Sequence, residues 1–257
     1  MLFSIVTICY NDLSGLKLTF DSIQKQSFND FEWIVVDGRS SDDTANWLKS
    51  ITDPRLQWVS EKDSGLFDAM NKGQKMASGK YIIFLNSYDE FASENILLEI
   101  SSQIKQNKEE LKLIYGDSID REENGKEHYK NARNHKTYRR GMFTQHQAMF
   151  FLNDKSVYYN LNYKITADYA YIGEFMQKIS ESSILYIKKP ICIFKLGGTN
   201  ETKRFKALIE DYHIRKNIFK MSFLSGITLL GMHFLHTILK RISPNIIKRT
   251  RYNKNTN

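Results

Sequence analysis

The sequence holds only two cysteines and three prolines in 257 residues. Cys9 and Cys192 lie in apolar runs, outside any Cys-x-x-Cys pair or His/Cys cluster. That argues against a disulfide framework and a structural zinc site, and a reducing compartment fits. Scarce proline and no low-complexity tract argue against a modular linker protein. No internal repeat is visible. The opening "MLFSIVTICYND" lacks a basic n-region and a small-residue cleavage site, so it reads as a first strand rather than a signal peptide. Acidic residues are missing from one place only: positions 212–257 carry nine basic residues and no acid. The net charge of +8 therefore belongs to that tail, and the rest of the chain is close to neutral.

What is present is a chain long enough for one large α/β domain, 41% apolar and 26% charged. β-rich runs at Leu2–Ile8, Phe31–Val36, Leu56–Val59 and Tyr81–Leu85 alternate with helical spacing, for example Leu13, Leu16, Phe20 and Ile23. Ser40 or Ser41 reads as the cap of a second helix, and Gly79 as the end of a third. Strands and helices alternating in this way imply a parallel sheet covered on both faces, with ligands at the carboxyl ends of the strands. Tyr10-Asn11, Asp37, Asp63 and Asn86–Asp89 all fall at such ends. In the second half, Leu111–Tyr115 reads as a strand ending in Gly116-Asp117. A polar hairpin or loop follows, then a strand at Gln147–Leu152, a helix at Ala167–Ile179, and one or two strands around Pro190.

Met221–Leu239 has no formal charge over nineteen residues. Its glycines, histidines and hydroxyls weaken a transmembrane reading. On a helical wheel Phe223, Leu224, Ile227, Leu230, Phe234, Leu235, Ile238 and Ile242 share a broad face, with Ser222, Ser225, His233, His236 and Lys240 opposite. An amphipathic helix in a membrane interface, flanked by basic residues suited to anionic headgroups, is expected; a helix packed on the domain or on a partner subunit is the alternative. Nucleic acid is not expected, since aromatics are not interleaved with the basic residues.

Four stretches, "SIVTICYND", "FEWIVVDGRSSDDT", "SEKDSGLFDAMNKG" and "ASGKYIIFLNSYDEF", follow the order and spacing of family-two glycosyltransferases of the GT-A fold. They resemble the bacterial branch that builds exopolysaccharide, capsule and O-antigen. The resemblance covers roughly residues 1–200. It implies a GT-A α/β fold with a mostly parallel sheet, divided into a nucleotide-sugar half (1–115), an acceptor and catalytic half (116–210) and a basic amphipathic tail (211–257).

The resemblance also implies roles for individual residues. Tyr10 would stack on the nucleotide base, with Thr7 and Asn11 on the same edge. Asp37 would accept hydrogen bonds from the base, though beside Gly38 it also reads as a turn residue. Asp63, Asn71 and Lys72 would border ribose and diphosphate. The acidic motif, usually Asp-x-Asp-Asp, reads Asn86-Ser87-Tyr88-Asp89 here. Asp89 stands where a carboxylate would hold Mg²⁺ or Mn²⁺, Asn86 and Tyr88 where the ribose would be touched, and Glu90 reads as a helix N-terminal charge. Asp168 in "TADY" would be the catalytic base, and alone it reads equally as a helix-cap residue. His146 and Gln147 would line the acceptor pocket, Asp117 would border the donor sugar, and Gly197–Asn200 would form a mobile loop over the diphosphate.

These features imply an inverting transfer of a sugar from a nucleoside diphosphate donor, UDP-linked, to a lipid-linked glycan. The protein would sit in the cytoplasm on the inner membrane face, with a homodimer open. A sugar nucleotidyltransferase is less apt, because "TICYNDLSGLK" lacks a glycine-rich loop with a basic residue. A catalytically weak sugar-nucleotide-binding subunit is the third reading, suggested by the altered acidic motif.

Overall fold

The first two strands, β1 (Phe3–Cys9) and β2 (Phe31–Asp37), are buried at every residue. Continuous apolar strands need cover on both faces, because successive side chains point to opposite sides of a sheet. In this computed structural model, which describes residues 1–197, 203–243 and 252, both faces are covered. Phe3, Ile5, Trp33 and Val35 share one core cluster with Leu16 and Ile23 of α1 (Leu13–Gln24). Val6, Ile34 and Val36 share the other with Phe67 and Met70 of α3 (Leu66–Met76).

The short α2 (Thr44–Ser50) leads to β3 (Leu56–Ser60), and α3 leads to β4 (Tyr81–Phe84). The strands order β3-β2-β1-β4, all parallel. Two expected boundaries shift. Thr44 opens α2 behind Asp43, so neither Ser40 nor Ser41 is its cap. The third helix ends at Met76, and Gly79 serves instead in the crossing to β4. A Cβ there would lie 2.6 Å from the Phe3 carbonyl carbon.

The second half adds β5 (Glu90–Phe91), α4 (Ile96–Gln106), β6 (Leu113–Arg121), β7 (Glu127–Lys130), β8 (Met149–Leu152), α5 (Ala167–Met176) and β9 (Ile184–Lys195). The sheet continues β4-β8-β6-β9-β5, with β7 on β6. Here β8 is antiparallel to both β4 and β6, and β6 and β9 are parallel. Gly116-Asp117 does not end β6 as expected. The strand runs through to Arg121, with register shifts beside Asp117, which pairs with Pro190. Proline has no N–H to give the ladder, so a bulge there keeps both strands in one sheet. Glu90 lies in β5, ion-paired to Arg121, and not at a helix start. The boundaries expected at 115/116 and 210/211 fall within β6 and α6 (Arg204–Asn217).

The chain then forms α7 (Phe223–Ile242), which packs on α6. Its buried residues are small or hydroxylic, Gly226 and Thr237. A Cβ on Gly226 would stand 3.0 Å from the Tyr212 ring. His233 meets Arg215 at 3.2 Å. Burial first, and then the charges of Arg215, Arg204 and Arg133, push His233 down to about 4, so it packs as a neutral ring at neutral pH. Part of the polar stripe expected to face water, His233 in particular, thus faces the domain. Phe223, Leu224, Met232, Leu235, Leu239 and Ile242 are more than half exposed.

Candidate active site

Beyond the ends of β1, β2 and β3, two side chains converge on one glycine. A Cβ on Gly38 would sit 2.9 Å from Asp63 Oδ2 and 3.1 Å from Tyr10 Cδ2. The Tyr10 ring is 67% exposed, which leaves a face open for stacking. Asn11, in left-handed conformation (φ 50°), stitches the first two loops together: its N–H donates to Ser40 Oγ at 2.7 Å, and its Oδ1 accepts from Ser41 N at 2.7 Å.

Three residues expected at this edge lie behind it. Thr7 is fully buried, donating to the Leu85 carbonyl and accepting from Trp33 Nε1. Asp37 is also fully buried; it accepts from Ser40 N–H and from the hydroxyls of Ser40 and Ser60. It shapes the loops under Tyr10, and contact with a base would require releasing one of those serines. Asn71 clasps Tyr159 through its backbone carbonyl (2.8 Å) and N–H (2.7 Å), so it fastens α3 to the second half instead of facing a ribose. Lys72 remains near the edge, pairing with Glu61 at 2.9 Å and donating to the Lys62 carbonyl.

The loop after β4 is built around Tyr88, in left-handed conformation (φ 72°). For a bulky residue that conformation is strained and must be held by its surroundings. Tyr88 N–H donates to the Gly15 carbonyl, its hydroxyl meets Ser14 Oγ at 2.9 Å, and its ring lies where a Cβ on Gly15 would come within 2.3 Å. Nothing larger than glycine fits at position 15 with the ring in place.

Asp89 turns inward. It is 3% exposed; its Oδ2 accepts from Gln147 Nε2 (3.0 Å) and Asn86 N (3.2 Å), and its Oδ1 from Lys195 N (3.4 Å). Burial raises its carboxyl to about 7, although His146, Gln147 and the two backbone N–H groups pull the other way. His146 Nδ1 lies 3.6 Å from Asp168 Oδ2. The histidine therefore interacts with both carboxylates, one at the strand end and one on α5. The buried His146 Nε2, Gln147 Oε1 and Asn86 Oδ1 have no hydrogen-bond partner among the described residues.

Asp168 stands in the first turn of α5, with its side chain 15% exposed. Its Oδ1 accepts from the first-turn N–H of Tyr169 at 2.8 Å. Glu210 of α6 holds the approach to the helix, accepting from the N–H groups of Lys164, Ile165 and the N-cap residue Thr166 at 2.9 Å each. A carboxylate there satisfies orphan donors and suits the positive end of the helix. Asp168 thus serves the helix start with Oδ1 and turns Oδ2 toward His146. Asp117, expected near the donor sugar, is instead fully buried; it accepts from the Tyr129 and Tyr186 hydroxyls and the Ala132 N–H, and so ties β6 to β7 and β9. Of the expected Gly197–Asn200 loop, Gly197 is left-handed (φ 100°), and 198–200 lie outside the described residues.

Residues 4–167 match the family described as Glycosyl transferase family 2. The chain belongs to that family. A PGL/p-HBAD biosynthesis glycosyltransferase of Mycobacterium bovis (strain BCG / Pasteur 1173P2) is 32% identical over 174 residues, covering 65% of this glycosyltransferase and 67% of the relative. An uncharacterized glycosyltransferase of Mycobacterium tuberculosis (strain CDC 1551 / Oshkosh) is 39% identical over 97 residues, 37% of each chain; the match thus spans little more than a third of that relative's length. In fold, this glycosyltransferase resembles S. aureus TarS 1–349 in complex with UDP-GlcNAc, with TM-score 0.66 and 15% identity over 97% of this chain and 76% of that one. It also resembles the mannosyltransferase PcManGT from Pyrobaculum calidifontis in complex with GDP-Man and Mn²⁺, with TM-score 0.61 and 12% identity over 96% and 77%. These likenesses establish a GT-A-like α/β fold.

The family and its Mn²⁺-bearing neighbour suggest divalent metal use in general. The strand end of this glycosyltransferase does not fit the group. Among the described residues no three His, Cys, Asp or Glu side chains gather as a ligand set. Both Asp89 oxygens are taken by N–H donors, and the position that turns outward is a tyrosine. A hard cation takes carboxylates and water in an open oxygen shell, which a buried carboxylate already accepting from three N–H donors does not provide. The expected role of Asp89 as metal ligand is therefore replaced by that of an internal hub. Glu210, Gly15 and Lys195 were not singled out in the sequence. A glycine in the first turn after Asp12 was a visible signal for Gly15. Nothing local marks Glu210 or Lys195, which act on residues 44 and 106 positions away.

Proposed function

We propose that this glycosyltransferase moves a sugar, with inversion, from a UDP-linked donor to a lipid-linked glycan of a bacterial surface polysaccharide or glycolipid. The observation that carries this reading is the continuity of the site. Tyr10, Gly38 and Asp63 form an open nucleotide edge, and Asp89, Gln147 and His146 link the neighbouring strand end to the half-buried Asp168. Asp168 takes the proton from an acceptor hydroxyl. The freed oxygen attacks the anomeric carbon, and the nucleoside diphosphate leaves from the opposite face with the bonding electron pair. His146 orients the carboxylate. The relatives named for PGL/p-HBAD biosynthesis and the TarS complex with UDP-GlcNAc support a glycolipid or surface-glycan setting and a UDP donor. Calorimetry against UDP, GDP and TDP, followed by a panel of nucleotide sugars scored for hydrolysis and transfer, tests it. No binding of any nucleotide would sink the reading. Tyr88 and the inward Asp89 favour one alternative, a sugar-nucleotide-binding subunit. Tight binding with no turnover on any donor or acceptor would select it.

The same reading places the protein on the cytoplasmic face of the membrane. Among the described residues, α7 is long and apolar enough to cross a bilayer, yet only 11% of its apolar window is buried in the protein. Its inner stripe is polar or small and its outer face apolar, which suits an interfacial helix. Arg241, Lys216 and Lys220 near its ends suit anionic headgroups, each worth about 1 kcal/mol at such a surface. Flotation with anionic and neutral vesicles, at low and high salt, checks this. The full chain should float with the anionic set, and a chain lacking residues 221–257 should not. A soluble dimer that ignores vesicles would assign the face to a second copy.

A further inference from the structure

The strand end that does not fit a metal ion carries a cation of its own. Lys195 is the last residue of β9, and its backbone N–H bonds Asp89. Its ammonium lies 3.2 Å from the centroid of the Tyr88 ring. The contact is a cation–π pair with no carboxylate in it, and no ion pair to Lys195 occurs among the described residues. The neighbouring cation, Arg121, is already held by Glu90 and Glu127. Lys195 is half-buried, so its charge is neither screened in bulk water nor neutralised by an acid.

We infer that Lys195, seated on Tyr88, supplies the positive charge for the diphosphate of the donor, and that this chain binds a nucleoside diphosphate without a divalent ion. The inference rests on the donor reading above and adds to it. Several observations meet here. Tyr88 occupies the outward position of the altered acidic motif and is fixed there by Gly15 and Ser14. Its ring presents an electron-rich face to an ammonium, which an aspartate at that position would instead have neutralised as a salt bridge. Asp89, turned inward, holds the Lys195 backbone and so sets where that side chain starts. A lysine offers phosphate a compact point charge and needs no octahedral oxygen shell. During transfer it would balance the charge that develops on the leaving diphosphate, with no bond made to the lysine.

The experiment is calorimetry of the full chain with UDP and with uridine, in excess EDTA and in Mn²⁺. The wild type should bind UDP equally in both. Lys195→Met should weaken UDP binding about 10- to 100-fold, the loss expected for one charge-assisted contact, while binding uridine as before. Lys195→Arg should recover most of the UDP affinity. UDP affinity that collapses in EDTA and returns with Mn²⁺ would overturn the inference while leaving the donor reading intact. So would a Lys195→Met variant that binds UDP normally, or one that loses uridine to the same degree. If the wild type binds no nucleoside diphosphate in either buffer, the donor reading fails and this inference with it.

Discussion

The two halves of the sheet present functional groups in opposite ways. In the parallel half, each strand delivers its own residue to the edge, and Tyr10, Gly38 and Asp63 meet because β1, β2 and β3 are in register. In the mixed half, no strand end suffices. Asp89 depends on Gln147, Asp168 lies beside His146, and the helix bearing Asp168 depends on Glu210. A parallel βα unit is a local device repeated along the chain, whereas the mixed half is assembled from contacts far apart in sequence. Changes on the first side should be felt singly, and changes on the second should propagate.

The sharpest test is Asp168→Asn. If Asp168 is the base, transfer should fall roughly 10²–10⁴-fold. Nucleotide affinity should stay, because the parallel half is untouched. Melting temperature should stay as well, because the asparagine side-chain oxygen can still accept the Tyr169 N–H. Turnover, calorimetry and thermal melting on one preparation decide it. Turnover near that of the wild type would remove Asp168 from the chemistry.

Second in size is the pH dependence set by Asp89. Its carboxyl titrates near 7 when folded and near its ordinary 3.8 when unfolded. Between these values the folded state holds the extra proton. Stability should therefore decline as pH rises from about 4 to 7 and level off above, by roughly 2–4 kcal/mol if Asp89 acts alone. Urea unfolding at a series of pH values reads the slope directly. A flat curve would show that Asp89 titrates as in the unfolded chain, and one that climbs would show that the fold stabilises its charged form.

Glu210→Ala comes next. It removes three charge-assisted bonds at the start of α5 and should cost about 1–3 kcal/mol of stability. If the mixed half is coupled as described, it should also slow transfer without weakening UDP binding, although residue 210 touches no reacting atom. Separate KM values for donor and acceptor would show which side suffers. The smallest expected effect is Tyr10→Ala, a loss of about 1–2 kcal/mol in nucleotide binding from one stacking face, with stability unchanged because the ring is exposed. An effect that spread to acceptor kinetics would break the contrast between the halves.

The sequence was readable to the degree that each half is local. Four parallel strands, their helices and the polar strand ends followed from period and spacing, because apolar runs of that length bury both faces. Tyr10 and Asp63 lie on the edge where expected. Thr7 in β1, Asp37 at the end of β2 and Asn71 in α3 face inward, since a motif fixes a residue's position along the chain and not which lone pairs the protein has already used. In the mixed half, Gly116-Asp117 looked like a strand end because a glycine-acid pair often is one. The pairing of Asp117 with Pro190 that carries β6 onward has no local signal. The face of α7 was right in its apolar content. Its inward stripe depended on Tyr212 and Arg215 of the preceding helix.

Glu210 has one more consequence, for how much of the chain constitutes a working unit. The carboxylate that holds the start of α5 comes from α6, and Phe219, just beyond α6, lies against Gly173 of α5, where a Cβ would come within 2.2 Å of its ring. Both ends of α5 are thus gripped by a segment that follows the family-matched region, residues 4–167. A shortened protein ending where that match ends would stop one residue short of Asp168 and so lose both that carboxylate and its clamp. One ending just after Phe219 would keep both and discard α7. The smallest transferring unit is therefore longer than the family boundary suggests, by about fifty residues.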